Sequence, residues 1–145
     1  MVIRRQGREI VLQLLYQYEW DAKKGVRELV DGYVHELAMR EFQEDDPVLE
    51  FVFEWLSGVL EHRDDLDLFI REKTKGWRVS RLALVDRNIL RLGVFELYYR
   101  RDIPPKVAIN EAVELAKKFG SDESSAFING ILDAVLKDMD EMVRA

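Results

Sequence analysis

The chain has 145 residues, of which 48% are hydrophobic, 34% charged and 10% aromatic. That fits one soluble globular domain, at roughly 100–200 residues per domain, and argues against a disordered chain. Cysteine is absent, which excludes disulfides, cysteine-ligated zinc or iron–sulfur sites and a thiol nucleophile. The net charge of −6 is unevenly spread: residues 1–8 carry net +3, residues 9–67 hold 16 acids against 5 bases, and residues 68–145 return to net +2. An acidic total is therefore compatible with a local cationic patch.

Apolar residues recur every three to four positions from end to end, and no segment alternates as a half-buried strand does, so the expected fold class is all-α. A first helix from about Arg4 to Trp20 puts Val11, Leu14, Leu15 and Tyr18 on one face, and Gly25 breaks it. A second helix from about Val26 to Phe42 buries Leu29, Val30, Val34 and Leu37, and the polar run Gln43 to Asp46 ends it. Asp46 followed by Pro47 marks a helix start, because aspartate caps free amides and proline suits the first helical position. The third helix then carries Phe51, Val52, Trp55, Leu56, Val59 and Leu60.

A shorter helix from about Asp64 to Lys73 ends near Gly76 and Trp77, and Ser80 is placed to cap a turn from Arg81 to Val85. The apolar helix after it carries Ile89, Leu90, Leu92, Phe95 and Leu97. Gly93 inside it costs about 1 kcal/mol relative to alanine, which points to close helix packing. Asp102 to Pro105 is a stop-and-restart loop. A helix from about Val107 to Phe119 closes on Lys117 and Lys118 with Gly120 as an expected left-handed cap. Ser121 or Asp122 starts the last helix, through Phe127, Ile131, Leu132 and Val135. No apolar run reaches the roughly 18 residues of a membrane span, so the default compartment is the cytoplasm.

Arg4, Arg5 and Arg8 are the physical oddity. Cations in a first helical turn oppose the macrodipole by about 0.3–1 kcal/mol each, yet they add charge where amides are unpaired, an arrangement suited to phosphate. Three such contacts to a single-stranded nucleic acid give a log–log salt slope of about −2. The alternative is a frayed, solvated helix start in which Arg5 pairs with Glu9. The basic stretch Arg71, Lys73, Lys75, Arg78 and Arg81 reads equally as a solubilising surface or a second cationic patch. Lys117 and Lys118 serve helix stability, and Asp64, Asp65 and Asp67 fit the wet side of a helix better than a metal site. His35 and His62 are far apart and lack ligand spacing, so no metal is expected. With no Gly-rich phosphate loop, nucleophile elbow or paired-histidine motif, no catalytic residue and no cofactor is assigned.

Four motifs in order extend this reading. Arg4-Arg5-Gln6-Gly7-Arg8-Glu9 is followed by Leu15-Tyr16. Next come Asp86-Arg87-Asn88-Ile89-Leu90-Arg91-Leu92-Gly93 with Glu96-Leu97, and Ile103-Pro104 leading into Val107 to Gly120. Phe127-Ile128-Asn129-Gly130-Ile131-Leu132-Asp133 closes the set. Together they resemble the NusB family of bacterial transcription antitermination factors over nearly the whole chain.

The resemblance implies two small helical bundles packed together, an N-terminal one over about 1–75 and a C-terminal one over about 76–145. It implies binding to the boxA element of ribosomal RNA operon transcripts together with NusE, also a small-subunit ribosomal protein, and coupling to elongating RNA polymerase. By matching position, Arg4, Arg5 and Arg8 would contact RNA phosphates, and Asp122, Glu123 and Phe127 would complete the RNA surface. Tyr16 and Asp86 would lie in the NusE interface, where a rim carboxylate steers a basic partner. Gly7 stands where the family usually has alanine, Gln6 replaces an arginine of some members, and Ala126 occupies a position often basic. Two other expectations stand beside the adaptor: an RNA-binding module like those preceding ribosomal RNA methyltransferase domains, for whose catalytic part 145 residues leave no room, and a homodimer that masks the RNA site.

Overall fold

The computed structural model describes residues 2–37, 42–43, 45–74 and 79–144, and every regular element among them is helical. The chain divides into two compact units, Met1–Glu61 and His62–Ala145. That division falls earlier than the boundary near residue 75 read from the sequence, because helix α4 (Arg63–Lys73) packs on the helices that follow it.

In the first unit, α1 (Val2–Trp20) lies on α3 (Pro47–Glu61). Val11, Leu14 and Leu15 of α1 are buried in this unit, as are Val52, Trp55, Leu56 and Val59 of α3, so both apolar stripes face inward. Tyr18 is only half-buried. Asp46 caps α3 as the sequence predicts: its Oδ1 accepts the Val48 N–H at 2.9 Å, with Pro47 in the first turn. Gly25 is the N-cap of α2 (Val26–Gly32), which widens into a π-helical turn over Tyr33–Leu37. Tyr33 rather than Val34 is the deeply buried residue there. Residues 38–41, the end of the expected second helix, lie outside the described residues, as do Glu44 and the stretch 75–78 that holds Lys75, Gly76, Trp77 and Arg78.

In the second unit, α5 (Leu84–Tyr99) is the central rod, packed by α4, α6 (Pro105–Phe119) and α7 (Ser124–Arg144). Gly93 is what lets these helices close up: a Cβ there would stand 2.8 Å from Leu132 Cδ1 and 3.6 Å from the Ala112 Cβ. Gly120 has a different job from the one its sequence context predicts. Its φ of −93° and ψ of −172° are extended, not left-handed, and a Cβ there would meet Ser124 Oγ at 2.6 Å and the Ala116 carbonyl at 2.8 Å. Close approach, not handedness, requires glycine. α7 consequently begins at Ser124, two residues beyond Asp122: the Ser121 N–H donates to Ser124 Oγ at 3.0 Å and holds the intervening turn.

The α5 start also departs from expectation. Its N-cap is Ala83, with no side-chain cap, and Val79–Arg81 forms a separate 3₁₀ turn, so Ser80 does not cap the helix. Asp67 is likewise not simply on a wet face. Its carboxylate accepts from buried Arg91, Nε to Oδ1 at 2.7 Å and Nη2 to Oδ2 at 3.0 Å, while Arg91 Nη1 donates to Asn88 Oδ1 at 3.0 Å. A bidentate charge-assisted pair ties α4 to α5.

Candidate RNA and protein interfaces

The first turn of α1 carries no acid, and Arg4 and Arg5 are exposed on it. Arg8 is not: it is 3% exposed, and its guanidinium lies 5.9 Å from the centroid of the Phe51 ring. Arg8 precedes Val11 and Leu15 by one and two turns, so it occupies the buried stripe of the helix. The accessible cationic tip therefore consists of Arg4 and Arg5. Gly7 belongs to the same packing, since a methyl there would come 2.9 Å from Phe51 Cε1, and Phe51 is itself stacked on Trp55 at 4.0 Å.

Tyr16 lies near the other end of α1, about 18 Å away at 1.5 Å rise per residue. It is 44% exposed and meets Trp20, 71% exposed, edge to face with centroids 6.3 Å apart. Of the two positions open to Tyr16, buried or outward, the fold takes the outward one. Sequence reasoning missed Trp20, although its i, i+4 relation to Tyr16, opposite the stripe of Val11, Leu14 and Leu15, is a readable signal.

In the second unit, Asp86, Glu123 and Phe127 converge on one cavity of about 660 Å³, also lined by Arg81 and Lys73. Asp122 is exposed on the adjoining turn and does not line it. Phe127 is 37% exposed at the rim. Asp86 sits in the first turn of α5, where the macrodipole favours a carboxylate. Its Oδ1 is shielded from solvent and finds no hydrogen-bond partner among the described residues. Lys73 forms an ion pair with Asp138 of α7, and among the described residues lining this cavity Arg81 is an exposed cation.

The two histidines lie apart from these surfaces. His62, half-buried before α4, stacks on Tyr99 at 3.8 Å, and His35 is exposed. Among the described residues no group of three or more His, Asp or Glu is placed to hold a metal ion, and no helix is long and apolar enough to cross a membrane.

Comparison with known proteins identifies the family and the fold. The sequence model of the NusB family matches residues 5–137. The transcription antitermination protein NusB of Myxococcus xanthus is 48% identical over 136 residues, covering 93% of this chain and 95% of that one. Two solved structures superpose closely. NusB from T. maritima has a TM-score of 0.81 at 34% identity, covering 92% of this chain and 90% of that one. The NusB-like chain in a crystal structure of antitermination factors NusB and NusE with double-stranded RNA also has a TM-score of 0.81, at 26% identity, covering 95% and 98%. By sequence match over almost its full length and by fold, the chain belongs to the NusB family.

Proposed function

We propose that the protein is a transcription antitermination factor that binds boxA RNA of ribosomal RNA operon transcripts together with NusE and links it to elongating RNA polymerase. It acts in the cytoplasm as a binding adaptor rather than an enzyme. The observation that carries this reading is the exposed, acid-free arginine turn of α1, a phosphate-binding arrangement in an otherwise acidic unit. A solved complex of NusB with NusE and double-stranded RNA, built on the same fold, supports it.

Arg4 and Arg5 contact phosphates, and Arg8 supports the turn from beneath through Phe51. Phe127 offers an exposed ring for base stacking, while Asp122 and Glu123 accept from base amines. Tyr16 and Asp86 face NusE. The cavity explains why the two ligands would reinforce each other. Asp86 on the partner side and Glu123 and Phe127 on the RNA side line one space, so either ligand orders walls that the other uses, and the coupling is reciprocal.

The test is a fluorescence titration of a boxA-type RNA and a scrambled control over a salt series, with and without NusE. Selective binding that tightens on adding NusE is the expected result. Weak, sequence-blind binding unmoved by NusE overturns the reading. Sedimentation of the same samples separates a masked homodimer, which would dissociate as RNA is added.

A further inference from the structure

Trp20 is the largest side chain that the first unit leaves in solvent, at 71% exposure. The chain turns sharply behind it. The Asp21 N–H donates to the Gln17 carbonyl at 3.1 Å and the Lys24 N–H to the Asp21 carbonyl at 3.3 Å, so the end of α1 is fixed and the indole is presented, not frayed. Tyr16 supports it from one turn earlier. The two rings flank a groove of about 210 Å³ between α1 and α2, and the charges around it are Asp21, Glu28 and Glu36 against Lys24.

From this we infer that Trp20 and Tyr16 form an aromatic seat for a basic side chain, an arginine or lysine, of the protein partner, with Asp21, Glu28 and Glu36 supplying the surrounding negative field. The inference rests on the partner reading above and goes beyond it by assigning Trp20 and the chemistry that Trp20 selects. Three carboxylates against one amine repel phosphate, so the exposed rings are not a stacking platform for RNA. The same charge balance opposes a second copy docking here through the acidic part of this unit. It attracts a cation, and an indole face is the strongest aromatic site for one. Because the rings already hold each other, less side-chain freedom is lost on binding than two independent aromatics would lose.

The experiment is calorimetric titration of the full chain with purified NusE, comparing Trp20→Ala, Trp20→Phe, Trp20→Leu and Tyr16→Ala with the parent, each checked for unchanged helical circular dichroism. Trp20→Ala is expected to weaken binding about tenfold, the scale of a partly desolvated cation–aromatic contact. Trp20→Phe should lose only part of that, and Trp20→Leu, which keeps apolar area but no ring, should fall with alanine. RNA binding in the absence of NusE should be the same in all four. If the parent binds NusE and Trp20→Leu or Trp20→Ala binds equally well, the seat is refuted while the partner reading stands. If the parent does not bind NusE, the partner reading falls and takes the seat with it. If Trp20→Ala instead dissociates a dimer with NusE affinity unchanged, the occupant is a second copy and the inference is overturned.

Discussion

The burial of Arg8 separates two roles that three neighbouring arginines share in the sequence. Consider Arg4→Ala, Arg5→Ala and Arg8→Ala, each titrated with boxA-type RNA across a salt series. On single-stranded RNA each neutralised phosphate contributes about −0.7 to the slope of log K against log salt. With Arg4 and Arg5 exposed and Arg8 buried, the parent slope from this tip should be about −1.4 rather than the −2 of three contacts. Arg4→Ala or Arg5→Ala should each bring it to about −0.7 with unfolding unchanged. Arg8→Ala should leave the slope near the parent value and instead lower stability. It removes the stem packed in the first unit and the contact with Phe51, a loss of about 2 kcal/mol. In thermal unfolding that is roughly 4–8 °C for a chain of this size. A slope that becomes shallower than the parent's by about 0.7 in Arg8→Ala, with no change in unfolding, would show that the guanidinium reaches phosphate and would refute the assignment.

Three further outcomes follow from packing and charge. Gly7→Ala forces a methyl into Phe51; overpacking of about 2 kcal/mol, less about 1 kcal/mol of regained helix propensity, should leave a net loss near 1 kcal/mol in urea unfolding. A stabilised variant would mean that the ring moves aside freely. Asp67→Asn leaves the buried Arg91 guanidinium without its carboxylate and should destabilise the second unit by about 3 kcal/mol, seen as early melting of helix signal. Equal stability would place the pair among neutral surface bridges. Burial, then Asp138 and Glu72, raises the Tyr98 pKa, and burial, then Asp65, raises that of Tyr99. Folding thus favours both neutral phenols, so their contribution is complete below the ordinary value of 10.0 and is lost as pH climbs from there through the folded values. Tyr98→Phe with Tyr99→Phe should flatten the decline of stability above pH 10, and an unchanged decline would assign it to other groups.

What was legible in the sequence was whatever chemistry closes within a turn or two. Asp46 before Pro47 satisfies an amide two residues on, and apolar residues one turn apart must share a face, so α1, α3 and α5 could be read directly. Gly93 was readable as a packing glycine because a helix interior gives glycine no other advantage. Gly120 was misread because two distinct demands, a positive φ and a close neighbour, call for the same residue, and only the position of Ser124 Oγ decides between them. Asp67 and Arg91 pair across 24 residues, a distance over which no local rule acts.

The candidate site repeats that division. The arginines at a helix start could be picked out from the residues themselves, and the aromatic with carboxylates near α7 only through the family resemblance, whereas the exposure of all of them had to come from packing. Arg8 is the instructive case. One and two turns ahead of Val11 and Leu15, it sits where the stripe predicts a buried side chain, yet its charge argues for the surface. The conflict is resolved by Phe51, whose ring gives the guanidinium an electrostatic partner inside the unit. A cation on an apolar stripe should therefore be read first as a packed side chain, and as a ligand contact only when nothing aromatic or acidic lies opposite it. By the same reasoning Trp20, an apolar ring on the polar face of α1 with acids around it, is a residue whose exposure the packing of the first unit does not account for, and the proposed seat for a partner's cation does account for it.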